Sequence, residues 1–435
     1  MALRPFLMGA FQTAFGSAKA LVRKTVSRNL GVLAAANLAS QLCSLAAIPL
    51  LTRWCSVSDF GFFQLYATTV TVSGLMACAR YDQAILVAPD DKTARAITLL
   101  SVGIAAIAAV LVGAGVFFVG PWVGRGWGEL GPWSPLVGAS VFLTGATTAA
   151  TQWYVRRANF SAISRTRIVQ SLTTVGFQVG AAAGGYGSAA LIMGDALGRA
   201  TGLIALIGLG SLATRMSSSS GTAWRQLART YSRFPLVSTP SVILNATGFA
   251  LPVVLLEHFF GAKAVGVFSL LERVMGIPTV LLGQPLSQLF SHRFRSALEE
   301  GGAAPIAALK KTAQSAALLG LLPFGALLLA GPFLFSLVFG EAWRHAGELA
   351  QLLALPYYVG SVVWPTMPAL IILNRLRTQL VWDIVRALLM FAAITFVGLL
   401  AAPYQDGIIA AITVMALMYA AHFTLTYRAA RSHER

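Results

Sequence analysis

The sequence predicts an all-α, polytopic membrane protein with about twelve transmembrane helices in two parallel six-helix bundles around a central cavity. Three observations carry this prediction. Of 435 residues, 57% are hydrophobic and 11% charged, against roughly 25% charged in a soluble domain. Landmarks also recur in order about 205 to 216 residues further on: FGFFQL at 60–65 returns as VGVFSL at 265–270, Gly126 and Trp127 return around Trp343, and Asn159, Arg165 and Arg167 return as Asn374, Arg375 and Arg377. Finally, the basic residues fall on alternate connections, as they do in chains threaded repeatedly through a bilayer.

A hydrocarbon core of about 30 Å takes roughly 20 helical residues to cross. Runs of that length in the first half lie at 30–51, 60–79, 96–119, 133–155 and 168–187, all uncharged, and at 188–213, which carries Asp195 and Arg199. The second half repeats the series at 234–256, 264–290, 312–338, 349–373, 378–402 and 407–427, with Glu272 and Arg273 in the eighth run and Asp383 and Arg386 in the eleventh. Lipid offers no hydrogen-bond partners, so only helices or closed barrels can span it. These runs are too long and too continuously apolar for barrel strands, which alternate residue by residue.

The polar stretches between runs set the domain organisation. Residues 30–212 and 236–428 form the two bundles, 213–235 (with MSSSSG at 216–221) the linker, and 429–435 a tail. In 1–29, Leu3, Leu7, Phe11, Ala14, Phe15, Ala18 and Val22 recur at helical spacing beside Lys19, Arg23 and Lys24, the pattern of a helix lying on the inner leaflet. Six runs precede the linker, so the second half starts on the same side as the first. The repeats are then parallel, related by an axis along the membrane normal, with the cavity between them as the expected substrate site. Pro49, Pro240, Pro252, Pro278 and Pro285 are expected to bend the first, seventh and eighth helices around it, and Pro356, Pro365 and Pro368 fall in the tenth.

The net charge of +17 would suggest nucleic acid in a soluble protein. Here about 25 basic residues fall on the face that holds both termini, whereas Arg53, Arg125, Lys263 and Arg344 fall on the other. That is the positive-inside rule, which places both termini in the cytoplasm and leaves no DNA-binding role to explain. Cys43, Cys55 and Cys78 have no metal-ligand spacing and read as small apolar fillers. There is no GxxxxGK[ST] loop, HExxH pair or nucleophile elbow, so neither an ATPase nor a hydrolase is expected, and no cofactor. Asp90 and Asp91 stand alone on the cytoplasmic side, without a nucleotide-binding domain to serve.

DFGFFQL at 59–65 followed by RYDQAILVA at 80–88, LLERVMGIPTVLLGQPLSQLF at 270–290 and FGEAWRHAG at 339–347 together resemble the Wzx-type oligosaccharide flippases of the multidrug/oligosaccharidyl-lipid/polysaccharide exporter superfamily. The resemblance runs from the first span to the tenth at least. It implies a V-shaped pair of six-helix bundles that rocks between inward and outward openings in the bacterial inner membrane. It also implies a lipid-linked oligosaccharide substrate, an undecaprenyl-diphosphate-linked repeat unit moved from the cytoplasmic to the periplasmic leaflet, and a polymerase of the same polysaccharide pathway as a partner.

A diphosphate crossing low dielectric calls for arginine, always charged and able to offer a bidentate fork. A charge at mid-membrane costs at least about 2.5–3.5 kcal/mol, so charged positions within spans are candidate functional sites. Glu272 and Arg273 are adjacent, roughly 100° apart on a helix, and are expected to face different partners; Arg273 is the leading substrate-binding candidate. Asp195 and Arg199 share a helix face and can neutralise each other. Asp383 and Arg386 are expected near the inner end of their span, within snorkelling reach of water. Arg53 and Arg80 mark the cavity mouths, and Gln284 and Gln288 are placed to hydrogen-bond sugar hydroxyls or glue helices together. Glu272, Asp195 and Asp383 are the carboxylates available for ion coupling, and His422 reads as a packed or interfacial residue. Trp127, Trp133, Trp153, Trp343 and Trp364 are expected in an aromatic belt, with sugar stacking open to some. A drug or cation exporter of the same superfamily is the alternative function, and a membrane-embedded polymerase a more distant one.

Overall fold

The computed structural model describes residues 35–208 and 224–433. Residues 1–34, 209–223 and 434–435 lie outside them, and with these the predicted N-terminal segment 1–29 and the first eleven residues of the predicted linker. In the first half the helices are α1 (Ala35–Trp54), α2 (Val57–Met76), α3 (Tyr81–Val87), α4 (Asp91–Val123), α5 (Arg125–Glu129), α6 (Ser134–Arg156), α7 (Phe160–Ala183) and α8 (Gly187–Gly208). The second half comprises α9 (Trp224–Thr230), α10 (Thr239–Pro278), α11 (Gln284–Glu300), α12 (Ala304–Phe339), α13 (Arg344–Val363), α14 (Ala369–Ile372), α15 (Leu376–Leu399) and α16 (Tyr404–His433). The described residues contain no strand.

Eight helical segments are long and apolar enough to cross a membrane, or nine if the bent α2–α3 pair counts as one crossing. The predicted twelve are reached because α6 and α7 cross too, and because α10 carries two crossings joined at Gly261, whose φ of 77° breaks the helix. α6 and α7 are the less apolar spans because each turns serine, threonine or glutamine toward the protein interior: Ser134 and Ser140 in α6, Ser164, Thr166 and Gln178 in α7 are buried. Outward-facing leucines and phenylalanines such as Leu322, Leu329 and Phe118 remain exposed, as a lipid-facing surface requires.

Local signals explain where helices start. Ser56 accepts from the Asp59 backbone N–H while Asp59 accepts from that of Ser56, a reciprocal box that opens α2. Asp90 caps α4 and Asn159 caps α7 in the same way with one side chain each. Hydrogen bonds from Thr93 hold the exposed Asp90 carboxyl below the usual carboxylate range.

The two halves meet at the repeated landmarks themselves. α2 crosses the second helix of α10, and a Cβ on Gly61 would collide with the carbonyl oxygen of Ala262, while one on Gly266 would collide with that of Val57. Gly61 corresponds to Gly266 and Val57 to Ala262 in the repeat, so the contact is its own mirror across the pseudo-twofold axis. Leu65 and its counterpart Leu270 are both fully buried there. The duplicated glycine survives because the backbones touch at this crossing.

Packing differs sharply between the two membrane faces. Near the face that carries Arg53, Arg125, Lys263 and Arg344, one apolar cluster joins both halves and includes Phe60, Leu65, Val265, Leu270, Phe335 and Trp343. Near the basic face there are two clusters, one around Ile85, Ile97 and Trp153 in the first half and another around Phe290, Phe294 and Leu309 in the second. The bundles are therefore cemented at one end and separate at the other.

Proline breaks the second half more than the first. π-helical turns at Phe234–Ser238 and Thr279–Gly283 contain Leu236 and Leu281, four residues before Pro240 and Pro285. Those are the residues whose carbonyls a proline ring displaces and leaves unpaired. α1, by contrast, continues without interruption through Pro49 to Trp54. α12 carries a break that the sequence reading passed over, at Ala330 (φ −139°, ψ 26°) two residues before Pro332.

Candidate substrate cavity

Arg273 lies eleven residues beyond Ala262, roughly 16 Å down its helix at about 1.5 Å per residue, near the middle of a core about 30 Å thick. It lines a cavity of about 510 Å³ between α1, α7, α8 and α10. Its Nη2 donates to Gln64 Oε1 at 3.3 Å and its guanidinium lies over the Phe63 ring, 5.5 Å from the centroid. Both partners belong to the opposite half. Gln64 also donates to Thr68 at 3.2 Å, and Thr68 is the repeat counterpart of Arg273, so this one amide ties the two equivalent positions across the axis.

Glu272 turns the other way, as expected for adjacent helical residues. Tyr357 on α13 donates its hydroxyl to Glu272 Oε1 at 2.6 Å. The Glu272 side chain borders three cavities: that of Arg273, one of about 290 Å³ between α2 and the seventh, eleventh and twelfth crossings, and one of about 240 Å³ within the second half. Charge and carboxylate thus sit back to back where the chambers meet.

The other charged pairs are internal. Arg199 binds Asp195 through Nε (2.7 Å) and Nη2 (3.2 Å) and Thr144 through Nη1 (2.8 Å), and Tyr66 donates to Asp195 at 3.2 Å. This cluster joins α2, α6 and α8; Asp195 still reaches the wall of the Arg273 cavity. Arg386 meets Asp383 at 3.3 Å and lies over the Trp382 ring at 4.9 Å. It is 5% exposed, so snorkelling does not describe it: the side chain is folded into the bundle, where Gln379 donates to Asp383 at 3.2 Å and pairs with His422 at 3.0 Å. His422 is packed and fully buried. Glu272 is, among the three candidate coupling carboxylates, the one without an arginine partner among the described residues.

Four candidates fall elsewhere. Arg53 reaches across the joined face to the Leu337 carbonyl at 3.4 Å. Arg80 occupies the turn between α2 and α3 with φ of 63°. Gln284 and Gln288 are exposed on α11, beyond the π turn and outside the three chambers. Asp91, weighed as a lone acid, pairs with Arg156 at 3.4 Å and with Arg157, which secures the α4–α6 corner. Trp343 leaves the expected belt: it is buried, donates Nε1 to the Thr52 carbonyl at 3.1 Å and packs edge-on against Phe60 at 5.3 Å. Trp153 is buried as well, beneath Arg157 at 4.8 Å.

The sequence reading missed the wall that faces Arg273. Ser40, Gln41 and Ser44 on α1 and Arg167, Gln170, Ser171 and Thr174 on α7 line the cavity. The α7 set follows i, i+3, i+4, i+7, a polar stripe on one face of a helix, and that periodicity was legible. Ser171 ties the stripes together by donating to the Ser40 carbonyl at 3.1 Å. No group of three or more metal-ligating side chains gathers among the described residues.

The joined face is sealed by further contacts between halves. Glu257 at the top of the seventh crossing accepts from the Gly126 backbone N–H, and His258 Nδ1 pairs with the Val123 carbonyl at 2.7 Å. A Cβ on Gly124 or Gly126 would collide with the Glu257 carboxylate, so these two glycines form its seat. Together with the Gly61–Gly266 crossing, they join the halves on this side.

By sequence, residues 50–348 match the polysaccharide biosynthesis protein family. The chain belongs to that family. Among curated proteins no sequence match is found. Solved structures show the same fold at low identity. A multidrug resistance MATE family transporter of the MOP superfamily, in its inward-facing conformation, superposes with a TM-score of 0.67 at 12% identity over 91% of this chain and 95% of its own. The lipid II flippase MurJ, inward closed, gives 0.68 at 10% identity over 92% and 89%. A MOP superfamily transporter from Pyrococcus furiosus gives 0.59 at 12% identity over 94% and 96%. The family member described here therefore has the MOP transporter fold that the resemblance implied.

Proposed function

We propose that the protein is a flippase that carries undecaprenyl-diphosphate-linked oligosaccharide repeat units from the cytoplasmic to the periplasmic leaflet of the bacterial inner membrane by alternating access. The observation that carries this reading is Arg273, held at mid-depth by Gln64 and Phe63 in a cavity whose wall also carries Arg167. On this reading the basic face is cytoplasmic, with both termini on it. A diphosphate entering from that side meets the exposed Arg167 first and Arg273 deeper. The positive potential of the funnel draws the anion inward, and the guanidinium replaces the water that the diphosphate leaves behind. The polar stripes of α1 and α7 offer hydroxyl and amide partners along the same path, and the lipid tail stays in the bilayer. Transport then requires the joined face to part at Gly61–Gly266 and at Glu257, and the basic ends to close. A polymerase of the same pathway would take up the delivered unit.

The test is Arg273→Ala in cells that depend on the protein for surface polysaccharide. Surface display is expected to be lost while the protein remains at normal level in the membrane. Full display would contradict the assignment. Glu272, open to the chambers, favours the cation-exporter reading in the same superfamily. Under that reading, deletion would sensitise cells to cationic drugs and leave polysaccharide intact.

A further inference from the structure

The chamber within the second half is chemically unlike the cavity of Arg273. It holds about 240 Å³ and is walled by Tyr357, Trp364 and Tyr419 with Thr279, Ser361 and Glu272 at its rim. Each of the three aromatic side chains is half-buried, so each has a surface to offer. Two are fixed by glycines: a Cβ on Gly283 would sit 3.1 Å from Trp364 Cε3, and one on Gly360 would sit 3.2 Å from Tyr419 Cδ2. These two rings therefore lie close against helix backbone. Tyr357 donates to Glu272 Oε1 at 2.6 Å, which orients the carboxylate while leaving it acceptor capacity for further hydroxyl protons.

We propose that this chamber is a carbohydrate subsite, in which Tyr357, Trp364 and Tyr419 take the faces of a sugar ring of the repeat unit and Glu272, Thr279 and Ser361 take its hydroxyls. The inference rests on the flippase reading. A pyranose has apolar C–H faces and a polar rim. A pocket for it therefore needs flat aromatic surfaces for the faces and a few placed acceptors and donors for the rim. The chamber has both, at the volume of a small glycan segment. Its position fits as well, because the anionic and sugar portions of such a substrate are covalently adjacent, and Glu272 and Arg273 are adjacent residues facing adjoining chambers. An aromatic box with a carboxylate also suits an organic cation. Here, however, the next residue along the helix is an arginine, which opposes a cation and favours a neutral, hydroxyl-rich ligand.

The experiment uses the full chain in lipid nanodiscs and two probes: bare undecaprenyl diphosphate, and the lipid-linked repeat unit extracted from cells that make it. In the wild type the repeat unit is expected to bind roughly tenfold more tightly than the bare lipid. Trp364→Ala and Tyr419→Ala should each erase most of that increment and leave binding of the bare lipid within about twofold. Trp364→Phe should retain the increment, which guards against misfolding as the cause. Arg273→Ala should weaken both ligands, and bare lipid indifferent to Arg273 would overturn the flippase reading alone. The subsite is overturned if the wild type shows no increment, if the chamber variants keep it, or if they weaken both ligands equally. Ethidium binding that these variants abolish, with the increment unchanged, would make the chamber a cation pocket and overturn it too.

Discussion

The two halves are the same scaffold put to different uses. At the joined face they are mirror copies: Gly61 meets the Ala262 carbonyl as Gly266 meets that of Val57. About two helical turns deeper they diverge, because Ala67 and Thr68 in the first half stand where Glu272 and Arg273 stand in the second. The first half supplies smooth polar walls on continuous helices, α7 above all, while the second is broken by π turns near Pro240 and Pro285 and at Ala330. Duplication thus preserved the element that must fit against its own copy. It released the mid-membrane positions, where a charge is costly and is kept only where it has a task.

The largest effects are expected where a charge is left without its partner. Asp195→Ala in the first half removes the carboxylate that Arg199 binds through two nitrogens inside the bundle, which costs about 3–5 kcal/mol and should lower the melting temperature of the purified protein severely. The double replacement Asp195→Leu with Arg199→Leu should cost far less. Equal damage from the single and double changes would contradict a purely structural pair.

Next comes the divergent position. Arg273→Ala removes charge-assisted hydrogen bonds worth about 1.5–3 kcal/mol, roughly ten- to 150-fold in affinity for an anionic substrate. Moving the charge to its repeat counterpart, with Thr68→Arg and Arg273→Thr, should not restore transport, because Thr68 lines a different chamber from Arg273. Rescue would mean that depth alone matters and not the facing wall.

The seam should respond symmetrically. Gly61→Ala and Gly266→Ala each force a methyl group against a backbone carbonyl, an overpacking cost of about 1–3 kcal/mol. The cost is relieved when the joined face parts. Both variants should reduce labelling of a cysteine placed at Thr174 from the basic side, and by similar amounts. Unequal responses would break the symmetry of the crossing.

The smallest effect separates the repeated asparagines. Asn159 accepts from the Ala162 backbone N–H and caps α7, whereas Asn374 has φ of 57° and lies outside a helix that no side chain caps. Asn159→Ala should cost about 1 kcal/mol. Asn374→Gly should be neutral or slightly stabilising, since glycine adopts that backbone without steric cost.

Much of the fold was legible because hydropathy, repeat spacing and loop charge are sequence-local quantities. Run 60–79 became α2 within three residues at either end, and run 30–51 overlaps α1, which continues to Trp54. The opposite facing of Glu272 and Arg273 followed from helical geometry alone. What could not be read was partnership across the chain. Nothing local in Arg273 names Gln64, 209 positions away, and Trp343 reads as a belt residue until its contact with Thr52 places it at the seam. Arg386 looked free to snorkel because the sequence does not show which neighbours cover it. The α7 stripe is the opposite case: its period was visible in Arg167, Gln170, Ser171 and Thr174, but uncharged runs hide polar faces when only charge is counted.

The most direct test of the central claim, that the halves are sealed at one face and part toward the basic face down to Arg273, is thiol accessibility. Cys43, Cys55 and Cys78 would be replaced, and single cysteines placed at Thr174 and Gly276 in the cavity and at Thr52 in the seam, in vesicles of known orientation. A membrane-impermeant maleimide should label Thr174→Cys and Gly276→Cys from the basic face only, and Thr52→Cys from neither. Labelling of the cavity positions from the opposite face, or their protection from both, would contradict the account.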